Sequence, residues 1–294
     1  MILITSANGN QGKRLIPRLL GAGHHVRACV RTEASARVLR ELGAQQVLVG
    51  DLADAAFIAQ AVRGVESLYH VGPTLHRGEK AIGLAMVDAA RAAGVGHFVF
   101  SSVLHAITTD LIQHEIKRDL EEHLLSAGMP FTILQPANYM LPHRLTSVFE
   151  EDVFRLSWSL DRRQSMVDLD DVADVAALVL TKPECHTAAT YELAGPGTFT
   201  GHDIGQLLSK VLGRPIRVER MDAEAFIRAR MGDSDPSALE HQLRAIRAIE
   251  ARYSSHDFIG NPNVLTWLLG RPPTTFEAFV RKQAAAFDAS RAGV

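Results

Sequence analysis

The sequence has little cysteine and no long apolar run. Its two cysteines, Cys29 and Cys185, are too few for a disulfide framework, and neither lies in a metal-binding spacing. Such usage is typical of a reducing cytosol. No apolar stretch reaches the roughly 18 residues of a membrane span, and the apolar "MILIT" runs straight into a glycine turn, unlike a signal peptide. We therefore expect a cytoplasmic protein with no membrane partner and no metal.

A strong charge of one sign is also absent. The formal net charge is −2 and no basic block stands out, which argues against nucleic acid as a direct partner. Hydrophobic residues make up 47% and charged residues 22%, an ordinary globular balance that argues against disorder. The 294 residues suit one large α/β domain, or a domain with a smaller lobe.

Short apolar segments alternate with helical segments in the first half of the chain. Many of the helical segments end at a glycine, a common helix stop. The predicted strands are Ile2–Ile4, His25–Val30, Gln46–Val49, Ser67–His70, His97–Ser101 and Phe131–Pro136. The predicted helices are Gln11–Ala22, Glu33–Leu42, Ala55–Val62, Lys80–Ala93 and His114–Ser126. This alternation predicts an α/β fold with a parallel sheet and right-handed crossovers.

The second half has a looser pattern. We predict a strand, a turn and a helix within Ser165–Leu180, with its aspartates capping the helix, and a further strand at Ala189–Gly195. A helix capped near Thr200 and a short strand at "IRVER" follow. The rest is predicted to be helical, with breaks at "SDPS" and "GNPN".

The stretch "ITSANGNQG" resembles the turn from a first strand into a first helix that holds a dinucleotide pyrophosphate. Gly9 and Gly12 have the spacing needed for phosphate approach and helix packing, but Ser6 stands at the first glycine position. A serine fits there if the position does not need a positive φ, and its hydroxyl is available to phosphate or to its own loop. The alternative is a turn that only packs. The expected cofactor residues of the loop are Ser6, Asn8, Gly9, Asn10, Gln11 and Gly12.

The tip of the second predicted strand carries Arg31, and the nearest acid, Glu33, lies two residues further on. An arginine at this position accommodates the 2′-phosphate of NADP, whereas a carboxylate would bind the ribose hydroxyl of NAD. Arg31 therefore favours NADP(H) over NAD(H), unless it is only a solvated surface arginine.

The tips of the third and fourth strands supply further cofactor candidates. Asp51 is placed to bind the adenine amino group and Leu52 to lie against its ring, although Asp51 is equally suited to capping the next helix, a role open to Asp54. Gly72 and Pro73 are expected to bring the backbone close to the ribose.

Together these elements resemble the NmrA-like group of atypical short-chain dehydrogenases/reductases. The similar stretches include "ITSANGNQG", "VRACVRT", "GDLAD", "HFVFSS", "HEIKRDLEEHLLSAGMPFTILQPANYM", "VDLDDVADVAALVL" and "TYELAGP", spread over roughly residues 1–215. The resemblance implies a doubly wound Rossmann-type sheet, NAD(P) binding and a smaller C-terminal α+β lobe on the substrate side. We assign residues 1–140 to the cofactor domain, with 165–195 returning to it, and 141–164 and 196–294 to the lobe.

The wider superfamily uses a tyrosine as proton donor and a lysine four residues later. The lysine position falls on Lys117, and the tyrosine position on Gln113, whose amide cannot donate a proton at a useful pKa. By the resemblance, Lys117 holds the ribose and lends positive charge, and Ser101 lies at the cofactor. The usual serine position remains open among Ser101, Ser102 and Val103. His114 either touches the site or faces solvent on the helix.

Strand ends face the ligand crevice in open α/β sheets, which places "QPANYM" at the site. In the family pattern, Pro136, Ala137 and Asn138 pass near the nicotinamide. The substrate candidates, each of which is alternatively a core residue, are Tyr139, Met140, Phe154 and Trp158.

Two functions remain open. The first is NADPH-dependent reduction of a small conjugated acceptor such as a quinone, which needs little help from a general acid. The second is an NADP(H) sensor that binds regulatory proteins without turnover. An open apolar pocket beside the nicotinamide would favour the enzyme, and a filled pocket the sensor. A homodimer is compatible with either.

Overall fold

The computed structural model describes residues 1–108, 110–231 and 236–292. The strands are β1 (Ile2–Ile4), β2 (Val26–Val30), β3 (Gln46–Val49), β4 (Ser67–Val71), β5 (His97–Ser101), β6 (Phe131–Pro136), β7 (Asn138–Met140), β8 (Val153–Leu156), β9 (Met166–Asp168), β10 (Ala189–Leu193) and β11 (Arg217–Arg220). The helices are α1 (Gly12–Gly21), α2 (Glu33–Glu41), α3 (Ala55–Val62), α4 (Glu79–Ala92), α5 (Ile112–Ser126), α6 (Thr146–Glu151), α7 (Leu169–Thr181), α8 (Pro183–His186), α9 (Gly201–Leu212), α10 (Ala223–Met231), α11 (Pro236–Ser255), α12 (Asn263–Leu269) and α13 (Phe276–Ala292), with a 3-10 helix at Pro142–Leu145.

A seven-stranded sheet in the order β10-β6-β5-β4-β1-β2-β3 forms the centre of the first unit. The pairs from β3 through β6 are parallel. Because the chain order reverses between β1 and β4, the carboxyl ends of these two strands form the switch point at which such sheets bind ligands. This arrangement confirms the predicted α/β fold of Rossmann type.

The burial of the strands explains their composition. Every residue of β1 and β5 is buried, as expected for parallel strands covered by helices on both faces. Between the sheet and α3, α4 and α5 lies a core that includes Leu3, Phe98, Phe100 and Met86. This core holds the strand ends, and hence the candidate site residues, in fixed positions.

The chain divides into two compact units. The first contains residues 1–136 and 169–192, and the second contains 137–168 and 193–294. The crossings fall near the predicted ones, and residues 137–140, 165–168 and 193–195 group with the second unit. The second unit carries two small parallel pairs, β7 with β9 and β8 with β11.

Most predicted elements lie within two residues of their observed bounds, and Thr200 caps α9 in a capping box with Asp203. The turn predicted between β9 and α7 is absent, because α7 begins directly after Asp168. The first half of the "SDPS" break, Ser234 and Asp235, lies outside the described residues. No helix in the part of the chain that the structure describes is long and apolar enough to cross a membrane.

The aspartates of α7 bind another helix. Asp174 lies 2.6 Å from the Arg18 guanidinium of α1, and Asp170 lies 3.3 Å from it. These ion pairs fasten α7 against α1 within the first unit, which gives the acidic run a structural role besides the predicted capping.

Candidate functional site

The glycine turn lies between the carboxyl ends of β1 and its two neighbours. The Ala7 N–H donates to the Cys29 carbonyl of β2 at 3.1 Å, and the Thr5 N–H donates to the Tyr69 carbonyl of β4 at 3.1 Å. Gly12 opens α1, and a Cβ atom there would lie only 2.2 Å from the Ala7 carbonyl oxygen. Only glycine fits this close contact between helix and turn, as the predicted packing role requires.

Ser6 corrects our expectation for the first glycine position. Its φ is +47°, so the position does need the left-handed conformation that we expected a serine to avoid. The Ser6 hydroxyl donates to the Val71 carbonyl of β4 at 2.9 Å. The hydroxyl thus joins the turn to the neighbouring strand, and this bond offsets part of the backbone strain.

Gln11 and Ser101 form a buried polar network. The Gln11 amide donates to the Ser101 hydroxyl at 2.9 Å, and the Gln11 carbonyl accepts from the Tyr69 hydroxyl. These contacts connect the glycine turn to the ends of β4 and β5. Both predicted cofactor side chains therefore already have protein partners, so their contribution to a ligand would be to shape the crevice.

Arg31 and Asn8 leave polar groups available near the start of α2. Arg31 is exposed and forms no hydrogen bond or ion pair with the described residues, while the nearby Glu33 is paired with Arg40. Asn8 donates to the Ser35 hydroxyl at 2.8 Å, but its Oδ1 is buried without a partner. The Arg31 guanidinium and the Asn8 Oδ1 are the kinds of group that the phosphate and the hydroxyls of an adenosine ribose would use.

Asp51 and Leu52, the two residues predicted to contact the adenine, lie in different surroundings. Asp54 supplies the cap of α3, accepting from the Ala56 N–H at 2.9 Å, so the alternative of Asp51 as the helix cap is wrong. Asp51 is exposed; its side chain accepts from the Ala53 N–H at 2.9 Å and its backbone carbonyl from the Asp54 N–H at 3.0 Å. Leu52 is largely buried in the core beside α3, so most of its side chain packs inward rather than facing the crevice.

Lys117 is held in a buried ion pair that the sequence did not reveal. Its Nζ lies 2.7 Å from Oε1 of Glu79, with the two side chains 8% and 1% exposed. The other Glu79 oxygen accepts from the Leu75 N–H at 3.2 Å. A Cβ at Gly72 would lie 2.9 Å from Glu79 and 3.1 Å from Lys117, so the glycine leaves room for this pair.

His70 completes the surroundings of Lys117. Its ring stacks on Phe100 at 6.0 Å, and the Lys117 ammonium lies 5.3 Å from the centre of the same Phe100 ring. Burial, with the charge of Lys117 adding to it, lowers the pKa of His70 to about 3. His70 is therefore neutral, and Glu79 is the carboxylate bonded to Lys117.

The position of the missing tyrosine holds an amide that cannot act as an acid. Gln113 is half-buried, and its Oε1 has no hydrogen-bond partner among the described residues. The alternative of a solvent-facing His114 is wrong: the residue is 1% exposed, and its Nδ1 donates to the His105 carbonyl at 2.9 Å. This hydrogen bond joins the first turn of α5 to the chain segment before it.

Ser102, which directly follows β5, is also engaged. The Ser102 hydroxyl donates to the Glu121 carboxylate, which accepts as well from the Gln135 amide at 2.9 Å. Burial raises the pKa of Glu121, although these hydrogen bonds and the charge of Lys117 act in the opposite direction. Sequence reasoning missed Glu79 and Glu121, because nothing in their local pattern distinguishes them from solvated helix residues.

The residues after β6 pass from the first unit to the second. Pro136 ends β6, and Ala137 donates its N–H to the Leu193 carbonyl at 2.9 Å. Asn138 donates from its amide to Oε1 of Gln164 at 2.9 Å. Within the second unit, one cavity brings Asn138 together with the four predicted substrate residues, Tyr139, Met140, Phe154 and Trp158.

This cavity is narrow. The space between its walls, including the part open to solvent, is about 490 Å³, and little of it is wide enough to hold water. The wide part holds only one or two water molecules. An aromatic ligand therefore needs movement of the wall side chains.

The residues present at the glycine turn fit an NAD(P)(H) cofactor. The turn has the cradle that a side chain at Gly12 would fill, Arg31 is unpaired, and Asn8 offers a buried free acceptor. The first two agree with the backbone and phosphate contacts that dinucleotides require.

The comparisons with known proteins agree with this geometry. The model of the NmrA-like family matches residues 1–259. An NAD(P)H azoreductase of Xenophilus azovorans is 30% identical, over 99% of this chain and 100% of that protein.

Solved structures give the same picture. The NADPH-dependent quinone oxidoreductase of Escherichia coli in complex with NADPH has a TM-score of 0.78 at 26% identity, covering 98% of this chain and 100% of that one. The negative transcriptional regulator NmrA in complex with NAD has a TM-score of 0.77 over 100% and 97%, but at 19% identity it shares the fold alone. The resemblance read from the sequence is thereby confirmed, and the chain belongs to the NmrA-like family.

Proposed function

We propose that this protein is an NADPH-dependent reductase of small conjugated acceptors, such as quinones. The observation that carries the proposal is the glycine turn at the β1–β4 switch point with the unpaired Arg31 beside it. The similarity to an NAD(P)H azoreductase and to an NADPH-dependent quinone oxidoreductase supports it.

The missing proton donor suits such an acceptor. The bound cofactor supplies a hydride, which carries two electrons. A quinone that accepts a hydride becomes a hydroquinone anion whose charge is delocalised, and water supplies the second proton. Gln113 therefore needs to donate no proton, and the chain's own contribution is to bind and orient the two molecules.

The alternative is an NADP(H) sensor without turnover, and the narrow cavity of the second unit favours it. Assays of NADPH oxidation with benzoquinone, naphthoquinones and an azo dye distinguish the reductase from the sensor. We expect quinone-dependent oxidation well above the rate without acceptor. Micromolar NADPH binding with no turnover on any acceptor would reject the reductase and leave the sensor.

We expect Arg31→Asp to weaken NADPH binding by about 10- to 100-fold, because a charge-assisted phosphate contact is lost and a repulsive carboxylate takes its place. NADH lacks the 2′-phosphate and should lose much less. Titration calorimetry with both cofactors measures the difference.

Arg63→Asp is the matched control. Arg63 directly follows α3 and so lies near the amino ends of the strands, away from the glycine turn. It is also exposed, and replacing it by aspartate changes the net charge by the same amount. Equal losses of NADPH and NADH affinity in Arg31→Asp would rule out the 2′-phosphate role.

A further inference from the structure

The cavity of the second unit is lined by two arginines, Arg144 and Arg162, but by no carboxylate. Neither arginine forms an ion pair with the described residues, and the Arg144 guanidinium lies 5.6 Å from the centre of the Trp158 ring. Asp257, which is paired with Arg163, offsets part of the charge of Arg162, since the hydrogen bonds of Arg163 and also the charge of Arg162 lower the pKa of Asp257. Two arginines without ion pairs of their own at one cavity favour an anionic ligand.

Two buried N–H donors in the same walls also lack acceptors. Trp158 Nε1 and Gln164 Nε2 are buried and have no hydrogen-bond partner. Asn138 donates to Oε1 of Gln164 at 2.9 Å, which leaves the NH₂ end as the free side of that amide. An unsatisfied buried donor costs free energy, and a ligand oxygen would remove that cost.

Six of the residues that line the cavity are aromatic. They offer stacking and edge-on contacts to a flat ligand. These residues are Tyr139, Phe154, Trp158, Phe199, Phe276 and Phe279.

We propose that this cavity binds aromatic acceptors that bear an oxyanion, a carboxylate or a sulfonate, and that Arg144 and Arg162 make the protein selective for them. The ring lies among the aromatic walls, and the oxyanion accepts from the guanidinium groups and from the free N–H groups of Trp158 and Gln164. This inference rests on the proposed reductase function and names its substrate class.

The narrowness of the cavity is consistent with such selectivity. Arg162 is exposed, and its long side chain can move aside without disturbing the core. The Arg144 guanidinium lies over the Trp158 ring, and burial lowers its pKa. A ligand that attracts both arginines stabilises the open arrangement, whereas a neutral ring of equal size gains nothing from the two charges.

Binding of an aromatic pair that cannot be reduced tests the site apart from turnover. We expect naphthalene-2-sulfonate to bind at least about 10-fold more tightly than 2-naphthol, since charge-assisted hydrogen bonds are about twice as strong as neutral ones. Titration calorimetry in the presence of NADP⁺ measures both. Equal affinities would overturn the proposal.

Substitutions in the cavity then test which side chains cause the preference for the sulfonate. We expect Arg144→Gln/Arg162→Gln to lower the sulfonate affinity by about 10- to 100-fold and to remove most of the preference over 2-naphthol. Trp158→Phe keeps a ring but removes the N–H, and a smaller loss confined to the sulfonate is expected. A preference that survives the double substitution would overturn the role of the arginines.

Arg244→Gln serves as the control, because Arg244 is an exposed arginine of the second unit, without an ion pair among the described residues, that does not line the cavity. It should bind both ligands like the parent. Kinetics with 1,2-naphthoquinone-4-sulfonate and 1,2-naphthoquinone complete the test. Sulfonate binding without quinone turnover would reject the reductase but keep the site, and turnover without any charge preference would reject the site alone.

Discussion

Replacing Lys117 by methionine is expected to lower the free energy of unfolding by about 3–5 kcal/mol. The substitution keeps a long side chain but leaves the Glu79 carboxylate buried. Among the described residues, the Leu75 N–H is then its one remaining hydrogen-bond donor. A buried charge that loses its partner carries the full cost of its desolvation. Urea or thermal unfolding measures the loss.

The second substitution Glu79→Gln should restore most of that stability. An uncharged amide tolerates burial better than a carboxylate, and its oxygen can still accept from the Leu75 N–H. We expect the double variant Lys117→Met/Glu79→Gln to be at least about 2 kcal/mol more stable than Lys117→Met alone. No recovery would mean that packing, and not the unpaired charge, causes the loss.

The restored variant separates the structural role of Lys117 from its proposed role at the cofactor. If Lys117 binds the ribose, the double variant should fold well but bind NADPH at least about 10-fold more weakly. If its NADPH affinity equals that of the parent, Lys117 acts only through the fold. The single variant cannot distinguish these cases, because unfolding alone would reduce binding.

Lys80→Met provides the matched control. Lys80 and Asp119 form an ion pair between the same two helices, α4 and α5, but the Lys80 side chain is 48% exposed. Exposed pairs contribute about 0–1 kcal/mol, so this variant should remain close to the parent in stability and in NADPH affinity. The contrast isolates burial as the cause of the large effect.

The sheet could be predicted because its strands are buried on both faces. Ile2–Ile4 and His97–Ser101 are short apolar runs next to helices that end at a glycine, and this pattern depends on local sequence alone. The glycine turn is also local, so Gly9 and Gly12 were recognisable from their spacing. Arg31 could be located because a strand tip fixes its position relative to the turn.

The features that were missed depend on residues distant in the chain. Glu79 and Lys117 are separated by 38 positions and meet only when α4 packs on α5. The positive φ of Ser6 is tolerated with the help of the Val71 carbonyl of another strand. His114 is hydrogen-bonded to the His105 carbonyl, a contact that no periodicity in the sequence reveals. Local patterns thus locate the cofactor loop, whereas its electrostatic surroundings require the tertiary structure.

Gly12→Ala is expected to be the most damaging single-methyl change at the cofactor loop. The added Cβ would lie 2.2 Å from the Ala7 oxygen and 2.7 Å from the Ala7 carbon. Both are backbone atoms, so the turn must open rather than a side chain rotate. We expect overpacking of about 1–3 kcal/mol, seen as a Tm lower by several degrees.

The larger effect should appear in NADPH binding. A displaced turn misdirects the backbone N–H groups that would bind the pyrophosphate, and losing two charge-assisted hydrogen bonds of about 1.5 kcal/mol each weakens affinity about 100-fold. Melting curves with and without NADPH report this directly, because a bound ligand raises Tm in proportion to the logarithm of its concentration over Kd. The parent should shift with NADPH, and Gly12→Ala should not.

Gly21→Ala, at the other end of α1, adds the same methyl group where no atom lies within 4 Å. Alanine is the better helix former, so this variant should be unchanged or stabilised by up to about 1 kcal/mol, with the full NADPH shift. If Gly12→Ala instead keeps the parent's NADPH shift despite its lower Tm, the close contact at Gly12 serves packing alone. The phosphates would then have to lie away from this turn, which would withdraw the main support for the proposed reductase.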